Sequence, residues 1–231
     1  KKRLDIYLYE NGLAESREKA RALIIAAEVS IDGLACSKPS AAVMPGQQVT
    51  VKPGDDFVSR GGKKLQKAID SFGLNLQGVT AMDVGASTGG FTDCMLRSGA
   101  GYVYAVDVGY GQLAWRLRQD GRVCVMERQN ARYLEPAMFD RPVSFASIDV
   151  SFISLRLILP AVAGALTAPF TIAALIKPQF EAGRDHVGKK GVVRDKNVHT
   201  DVVTGILDFA AQAGLVLCGL DYSPIKGPEG N

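Results

Sequence analysis

Cysteine is scarce in this sequence, and its placement argues against two kinds of site. The 231 residues include four cysteines, Cys36, Cys94, Cys124 and Cys218, which lie far apart in the chain. Zinc sites and disulfide frameworks use cysteines at close, paired spacings, and these four show none. We therefore expect no metal centre, no metal requirement and a reducing, cytoplasmic environment.

Long apolar runs are also lacking, apart from one segment that carries no charge. The N-terminal KKRLD is not followed by the apolar residues of a secretory signal. Residues 157–176 are long enough to span a bilayer, but Pro160, Gly164 and Pro169 interrupt them. We interpret this segment as a buried helix followed by the core strand FTIAALI, and we expect no integral association with a membrane.

The net charge is only +3, but the basic residues are concentrated towards the N-terminus. Up to Lys67 the chain has twelve basic and eight acidic residues, whereas the remainder has fifteen and sixteen. This uneven distribution of charge is compatible with a module that binds a polyanion, followed by a nearly neutral domain.

The first sixty residues are patterned as two short helices and a small sheet. In RLDIYLYENGL, Leu4 and Leu8 lie one turn apart and a glycine ends the segment. Ser16 is placed to cap a second helix, in which Arg17 and Arg21 lie one turn apart on an outward face. An Asp-Gly turn in EVSIDGLA and the alternation in GQQVTV then predict short strands.

This pattern resembles the RNA-binding domain named after ribosomal small-subunit protein S-four. The resemblance rests on the segments RLDIYLYENGLAESREKARALI and VSIDGLACSKPSAAV. In that family a basic helical face grips RNA phosphates, whereas the alternative here is an ordinary solvated helix face. The resemblance implies RNA contacts for Arg3, Arg17, Lys19, Arg21 and Lys38.

A junction between two domains is predicted at residues 55–60, where the turn cluster KPGDD is followed by the helical SRGGKKLQKAI. The predicted domains are residues 1–58, an α+β RNA-binding domain, and residues 59–231. From Val79 onward, apolar runs alternate with helical segments, which predicts an α/β fold with a doubly wound, mainly parallel sheet. The strand candidates are VTAMDV, GYVYAVDV, RVCVME, FASIDV, FTIAALI and GLVLCGL.

The first of these strands runs directly into the glycine-rich loop DVGASTGG. Glycine permits close approach of backbone to a ligand, and the second strand ends at Asp107, which could accept hydrogen bonds from ribose hydroxyls. Enzymes that bind dinucleotides favour G-x-G-x-x-G, which seats a pyrophosphate at a helix N-terminus. This loop has a different spacing, so a nicotinamide dehydrogenase is only a distant alternative.

The spacing acid-G-x-x-x-G-G is similar to the first motif of class I, Rossmann-like methyltransferases, which use S-adenosylmethionine. By that resemblance the loop holds the methionine part of the cofactor, Asp107 its ribose and Asn130 the edge of its adenine. Turn geometry is the alternative explanation for Asp107 and Asn130. The cofactor-binding residues implied are Asp83, Gly85, Ser87, Thr88, Gly89, Gly90, Phe91, Asp107 and Asn130.

Asp149 and Lys177 each close an apolar strand, in SIDVSFISL and ALIKPQFEAG, and ligands of open α/β sheets bind outside such strand ends. Solubilisation of a loop is the alternative for either residue. Together with SRGGKKL, these segments resemble the ribose 2′-O-methyltransferases related to FtsJ, which use a lysine, aspartate, lysine, glutamate tetrad. The resemblance implies Lys64, Asp149 and Lys177 as the first three members.

A ribose hydroxyl is a poor nucleophile, and a lysine can accept its proton only when the amine is neutral. Desolvation and a neighbouring cation both lower the pKa of a lysine. We therefore expect Lys177 to act as the general base, Lys64 to tune it and Asp149 to hold it in position. The fourth member is expected shortly after a GPxGN segment, here residues 227–231, where the sequence ends. We expect the last strand and its acid to be missing, and Glu229 is not a substitute.

The chain as a whole resembles the TlyA family, also called hemolysin A. The resemblance rests on VSRGGKKL, DVGASTGGFTD, AVDVGYGQLAWRLR, DVSFISL, KPQFEAG and GPEGN. It implies S-adenosylmethionine-dependent methylation of cytidine 2′-hydroxyls in ribosomal RNA, with ribosomal subunits as partners. The alternatives are a membrane-permeabilising hemolysin, which no intact transmembrane or strongly amphipathic basic segment supports, and a non-catalytic ribosome-binding factor, which the intact pocket motifs oppose.

Overall fold

The computed structural model describes residues 2–14, 16–51, 57–188 and 191–227, in two compact units, Lys1–Asp56 and Phe57–Asn231. The KPGDD turn cluster, and the GPEGN segment after Gly227, lie outside the described residues. The predicted junction at residues 55–60 therefore falls partly on residues that are not described, and it stays a prediction.

In the first unit, helices pack against short antiparallel strands. The elements are β1 (Lys2–Arg3), α1 (Leu4–Glu10), α2 (Arg17–Ile25), β2 (Val29–Ile31), β3 (Leu34–Ala35), β4 (Ala42–Val43) and β5 (Val49–Val51). Strand β2 pairs with β3 and β5, and β1 pairs with β4. Ser16 Oγ accepts a hydrogen bond from Lys19 N at 3.1 Å, so Ser16 caps α2 as predicted. Leu4, Leu8 and Ile24 are fully buried in the core.

The second unit is an α/β fold built on a parallel sheet. Its elements are α3 (Gly62–Phe72), β6 (Thr80–Val84), α4 (Gly90–Arg97), β7 (Tyr102–Val106), α5 (Trp115–Arg118), β8 (Val123–Met126), β9 (Phe145–Ile148), α6 (Leu159–Ala165), β10 (Thr171–Ala174), α7 (Pro178–Glu181) and α8 (Lys196–Gln212). The strand order is β10-β9-β6-β7-β8, and neighbouring strands are parallel. From β6 the chain adds β7 and β8 on one side and then β9 and β10 on the other side. This change of side between β6 and β9 confirms the predicted doubly wound architecture.

Helices cover the sheet on both faces, as the nearly continuous apolar strands predict. Leu65 of α3 and Met95 of α4 belong to the core on one face. Val162 of α6 and Ile206 of α8 belong to the core on the other face. Ligands of open α/β sheets bind outside the carboxyl ends of the strands, so we expect a polar site of this unit at that edge.

The charge-free segment at residues 157–176 folds as predicted, with α6 followed by β10. Pro160 lies in the first turn of α6, where its missing N–H costs no helical hydrogen bond. Within the described residues, no helix combines the length and apolar content needed to cross a bilayer. The same residues hold no group of three or more histidine, cysteine, aspartate or glutamate side chains arranged for a metal ion.

One strand prediction is wrong, that for GLVLCGL at residues 214–220. The segment has no strand structure, and Val216 and Leu217 are exposed by 86% and 57%. A strand needs a neighbour to satisfy its N–H and C=O groups. This segment does not pair with the edge strand β10; both instead line an apolar cavity of about 490 Å³.

Candidate active site

The two strand-end residues and the lysine of α3 meet at the C-terminal edge of the sheet. Asp149 directly follows β9, Lys177 directly precedes α7, and Lys64 lies in the first turn of α3. Lys64 Nζ donates to Asp149 Oδ2 at 2.9 Å, and Lys177 Nζ lies 2.5 Å from Asp149 Oδ1. One carboxylate thus bridges two amines from distant parts of the sequence.

This lysine–aspartate cluster, consisting of Lys64, Asp149 and Lys177, is largely shielded from solvent. The three side chains are exposed by 20%, 15% and 17%. Burial opposes ionisation of Asp149, but the charges of Lys177 and Lys64 outweigh it and hold the pKa of Asp149 below its usual value. At neutral pH the cluster therefore contains a carboxylate held between two amines that water reaches only in part.

A neighbouring hydroxyl provides a contact that the sequence did not suggest. Lys177 Nζ donates a hydrogen bond to Ser151 Oγ at 2.9 Å. Ser151 follows Asp149 by two residues and is exposed, so it marks the solvent side of the cluster. The amine of Lys177 is therefore oriented by two oxygens, one buried and one at the surface.

The glycine-rich loop lies against the backbone of the cluster. Gly85 follows β6 with a φ of +87°, a conformation that glycine adopts without strain. A Cβ at this position would lie 2.8 Å from Asp149 O, closer than side chains approach backbone atoms. The predicted cofactor loop can therefore touch Asp149 only because residue 85 is a glycine.

Asp107, at the end of β7, is tied to the same loop by hydrogen bonds. Its Oδ2 accepts from Ser87 N and its Oδ1 accepts from Gly109 N, both at 2.7 Å. Ser87 Oγ also donates to Gln112 Oε1 at 3.3 Å. The loop and the strand-end acid thus form one hydrogen-bonded rim at the edge of the sheet.

Other residues of the loop pack inside the protein. A Cβ at Gly89 would lie 2.3 Å from Leu117 Cδ1, and one at Gly90 would lie 2.9 Å from a backbone nitrogen of α3. Phe91, in the first turn of α4, is buried in the core. The side chain of Thr88, in contrast, is exposed. Glycine at positions 89 and 90 is therefore explained by close packing between elements.

Two of the predicted cofactor contacts have partners within the protein. Asp83 is fully buried, and its Oδ2 accepts a hydrogen bond from Thr92 Oγ1 at 2.6 Å. Asn130 Oδ1 accepts from Arg132 N at 3.1 Å and caps a short 3-10 helix. Roles for Asp83 and Asn130 in cofactor binding stay predictions.

The buried carboxyl of Asp83 is expected to make stability depend on pH. Burial raises the pKa of Asp83 to about 7, and hydrogen bonds from Thr92 oppose this only in part. The folded protein therefore holds this proton more tightly than the unfolded chain does. The resulting stabilisation is complete below the unfolded pKa of about 4 and is lost as the pH rises through the folded pKa. We expect Asp83→Asn to reduce this part of the pH dependence.

Chemical denaturation at about pH 5 and about pH 8 measures the effect as a difference in unfolding free energy. Asp70→Asn is the matched control, because Asp70 is an exposed carboxylate on α3. If wild type and Asp83→Asn lose the same stability between the two pH values, Asp83 is not the titrating group.

The five basic residues predicted to contact RNA are all exposed in the first unit. A buried carboxylate, Asp5, joins two of them. Arg3 donates to both oxygens of Asp5 at 3.0 Å, and Arg17 reaches Oδ2 at 3.5 Å. The hydrogen-bonded guanidinium of Arg3 lowers the pKa of Asp5 despite its burial. The sequence analysis did not identify Asp5 as a partner of these arginines. The sequence shows only that an acidic residue follows three basic residues and a leucine.

Comparison with known proteins identifies both units. The FtsJ-like methyltransferase family matches residues 57–231, and the S4 domain matches residues 2–49. YqxC of Bacillus subtilis, whose description proposes an rRNA methyltransferase, is 52% identical over 100% of this chain and 83% of its own length. TlyA of Mycobacterium tuberculosis, named as a 16S/23S rRNA (cytidine-2′-O)-methyltransferase, is 45% identical over 99% of this chain and 86% of its own length.

A solved structure also shares the architecture. It belongs to a Streptococcus thermophilus protein described provisionally as a hemolysin, and it covers 100% of this chain and 85% of its own, with 48% identity and a TM-score of 0.77. The likeness to TlyA that the motifs predict is thereby confirmed. The FtsJ-like methyltransferase match at residues 57–231 spans more than half of the chain. The chain therefore belongs to the FtsJ-like methyltransferase family, and it carries an S4 domain in its N-terminal unit.

Proposed function

We propose that this protein transfers a methyl group from S-adenosylmethionine to the ribose 2′-hydroxyl of cytidine in ribosomal RNA. The observation that carries the proposal is the bridging of Lys64 and Lys177 by Asp149, whose backbone touches the glycine-rich loop at Gly85. The name of the Mycobacterium tuberculosis relative, which matches 99% of this chain, supports the chemistry and the substrate. The S4 domain supports binding to RNA.

The rim formed by the loop and Asp107 fits a nucleoside-type cofactor. S-adenosylmethionine would supply a methyl group bound to a positively charged sulfur. The sulfur is a good leaving group because it becomes a neutral thioether when the methyl group is transferred. A carboxylate can accept about four hydrogen bonds, and Asp107 accepts two from the backbone, which leaves capacity for ribose hydroxyls. In the proposal, the exposed Ser87 and Thr88 lie beside the methionine part of the cofactor. The close approach of Gly85 to Asp149 brings this part of the cofactor next to the lysine–aspartate cluster.

Lys177 is the proposed proton acceptor. When its amine is neutral, Lys64 and Asp149 balance each other, so the shielded cluster carries no net charge. Lys177 Nζ would accept the proton of the 2′-hydroxyl while the methyl group passes from sulfur to that oxygen, which breaks the carbon–sulfur bond and leaves a neutral thioether. Asp149 and Ser151 hold the amine in place, and the alignment of hydroxyl with methyl supplies a further part of the rate.

The proposal is tested by incubating the protein with methyl-labelled S-adenosylmethionine and with separated small and large ribosomal subunits. We expect label on a cytidine 2′-oxygen, located by resistance of the adjacent linkage to alkaline cleavage. Label on a base would assign a different chemistry. Tight binding to subunits without any label, under conditions in which the cofactor binds, would favour a non-catalytic ribosome-binding factor.

The basic face of α2 is expected to determine affinity for RNA through phosphate contacts. Changing both Arg17 and Arg21 to Glu should weaken binding of ribosomal RNA and make it less sensitive to salt. Each lost phosphate contact lowers the slope of log K against log salt by about one, so the double variant should lose about two. The weakening should be similar for RNAs of different sequence, because phosphates carry no sequence information. Titrations of rRNA transcripts at several salt concentrations measure both quantities.

Arg122→Glu is the control for a charge reversal outside α2, and it changes the net charge by half as much as the double variant. Arg122 is also exposed, but it lies in the second unit and pairs with Asp120 at 2.7 Å. A salt slope that stays unchanged in the Arg17 and Arg21 double variant would contradict the proposed contacts. If Arg122→Glu lowers log K by about half as much as the double variant does, net charge and not the face of α2 determines the affinity.

A further inference from the structure

An ion pair that the proposed transfer step does not use lies beside the rim formed by the glycine-rich loop and Asp107. Glu127 directly follows β8, and its side chain is exposed by only 11%. It contacts a guanidinium nitrogen of Arg118, the last residue of α5, whose side chain is exposed by 23%. Because the removal of two charges from water is costly, a shielded pair of this kind is weak evidence for a contribution to stability. Its other contacts indicate a different role.

The ion pair holds the segment between β7 and α5, residues 108–114, which we call the β7–α5 loop. Glu127 Oε1 accepts a hydrogen bond from Gly111 N at 2.8 Å, and Arg118 Nε donates to Leu113 O at 3.2 Å. The hydrogen bond from Arg118 lowers the pKa of Glu127, although burial opposes this, so the acid is ionised at neutral pH. Leu113 is buried, but most of the loop is exposed. The ion pair therefore fixes a loop that has little packing of its own.

The β7–α5 loop in turn lies against the glycine-rich loop. Ala114 N donates a hydrogen bond to Thr88 O at 3.1 Å. Ser87 Oγ donates to Gln112 Oε1 at 3.3 Å. Asp107, the proposed ribose ligand, accepts a hydrogen bond from the first half of the same loop at 2.7 Å. A displacement of the β7–α5 loop would therefore move groups on both sides of the proposed cofactor.

We propose that Glu127 and Arg118 are positioning residues that set the affinity for S-adenosylmethionine, because they hold the β7–α5 loop against the glycine-rich loop before the cofactor arrives. The inference rests on the proposed function and adds to it two residues that act without touching the cofactor. A loop that becomes ordered on binding loses conformational entropy, which weakens affinity. A loop that is already ordered by folding avoids this loss, so removal of the ion pair should weaken binding.

Calorimetric titration of the free protein with S-adenosylmethionine tests the proposal. We expect Glu127→Ala and Arg118→Ala each to weaken binding about 10-fold to 100-fold, the effect of losing hydrogen bonds to a charged group. The double variant should bind about as weakly as either single variant, because the two residues act as one unit. In methylation of ribosomal subunits, KM for the cofactor should rise while kcat changes little. A lower kcat with an unchanged KM would overturn the proposal, because the pair would then act on the reacting groups.

Direct contact between Glu127 and the cofactor is the competing explanation. It predicts that Glu127→Ala weakens binding and Arg118→Ala does not, and this result would also contradict the proposal. Asp120→Ala is the matched control, because Asp120 precedes the other end of β8 and pairs with Arg122 at 2.7 Å. Asp120 also accepts a hydrogen bond from a backbone N–H, at 2.9 Å. Equal weakening by Asp120→Ala would show that general destabilisation explains the effect.

Hydrogen exchange reports on the loop without any cofactor. The N–H groups of Gly111 and Ala114 should exchange faster in Glu127→Ala than in the wild type, whereas those within β6 should not change. Unchanged exchange at Gly111 and Ala114 would overturn the proposal. If the wild type binds no S-adenosylmethionine in the calorimeter, the proposed function fails as well. If the wild type binds it and both variants bind equally tightly, only the present inference fails.

Discussion

Lys177→Ala is expected to lower the rate of methyl transfer about 100-fold to 10,000-fold, the range that a positioned general base contributes. Binding of S-adenosylmethionine should persist, because the contacts of Lys177 are Asp149, Ser151 and the Phe180 ring, none of which belongs to the glycine-rich loop. Single-turnover transfer to ribosomal subunits measures the first quantity, and calorimetry measures the second. If Lys177→Ala transfers methyl groups at the normal rate, Lys177 is not the general base.

Lys177→Arg separates the function of a base from that of a positive charge. A guanidinium keeps the charge next to Asp149, but it stays protonated in proteins and cannot accept the proton of a hydroxyl. We therefore expect the arginine variant to be as inactive as the alanine variant. Lys196→Ala, at an exposed lysine in the first turn of α8, is the matched control and should remain active. An active Lys177→Arg would show that the residue acts through its charge.

Gly85→Ala is expected to impair both cofactor binding and methyl transfer. A left-handed backbone costs an alanine about 1 to 2 kcal/mol, which lowers stability. The added Cβ would also meet Asp149 O at 2.8 Å, so either the loop or the aspartate has to move. A displacement of about 1 Å at a reacting group can cost about 100-fold in rate, and we expect a loss of transfer of at least this size.

Gly78→Ala provides the same backbone strain without the contact. Gly78 precedes the N-terminal end of β6 and has a φ of +73°. No described atom lies within 4 Å of a Cβ built at this position. Its alanine variant should lower the melting temperature but leave transfer by the folded protein intact. If both glycine variants lose transfer equally, backbone strain explains the effect and the link between loop and cluster is not supported.

The meeting of Asp149 and Lys177 could be predicted, because the carboxyl ends of neighbouring parallel strands share one edge of the sheet. The bridge from Asp149 to Lys64 could be expected only from the family resemblance. These two residues are 85 positions apart, and the 2.9 Å contact depends on how α3 packs against the sheet. Sequence periodicity reports which face of an element is apolar, and it does not report such distances.

Prediction failed where a residue depends on a neighbour in space. GLVLCGL has the composition of a strand, but composition does not show whether another strand is available to pair with it. The sequence also did not show that the carboxyl of Asp83 is buried against Thr92 inside β6, and its role in cofactor binding stays a prediction. The contact of Ser151 with Lys177 is a hydrogen bond between segments far apart in the chain, for which a serine in the sequence gives no specific signal.

The contacts of Asp5 have a consequence for the proposed binding of RNA by the N-terminal unit. Long basic side chains normally lose rotational freedom when they bind, which reduces affinity. For Arg3 and Arg17, part of that loss has already occurred during folding, because Asp5 holds both guanidinium groups. The three side chains together carry one positive charge, and in the proposed contact RNA phosphates would meet two guanidinium groups at a fixed separation. If the unit binds RNA as proposed, this fixed separation would favour RNA whose neighbouring phosphates match it.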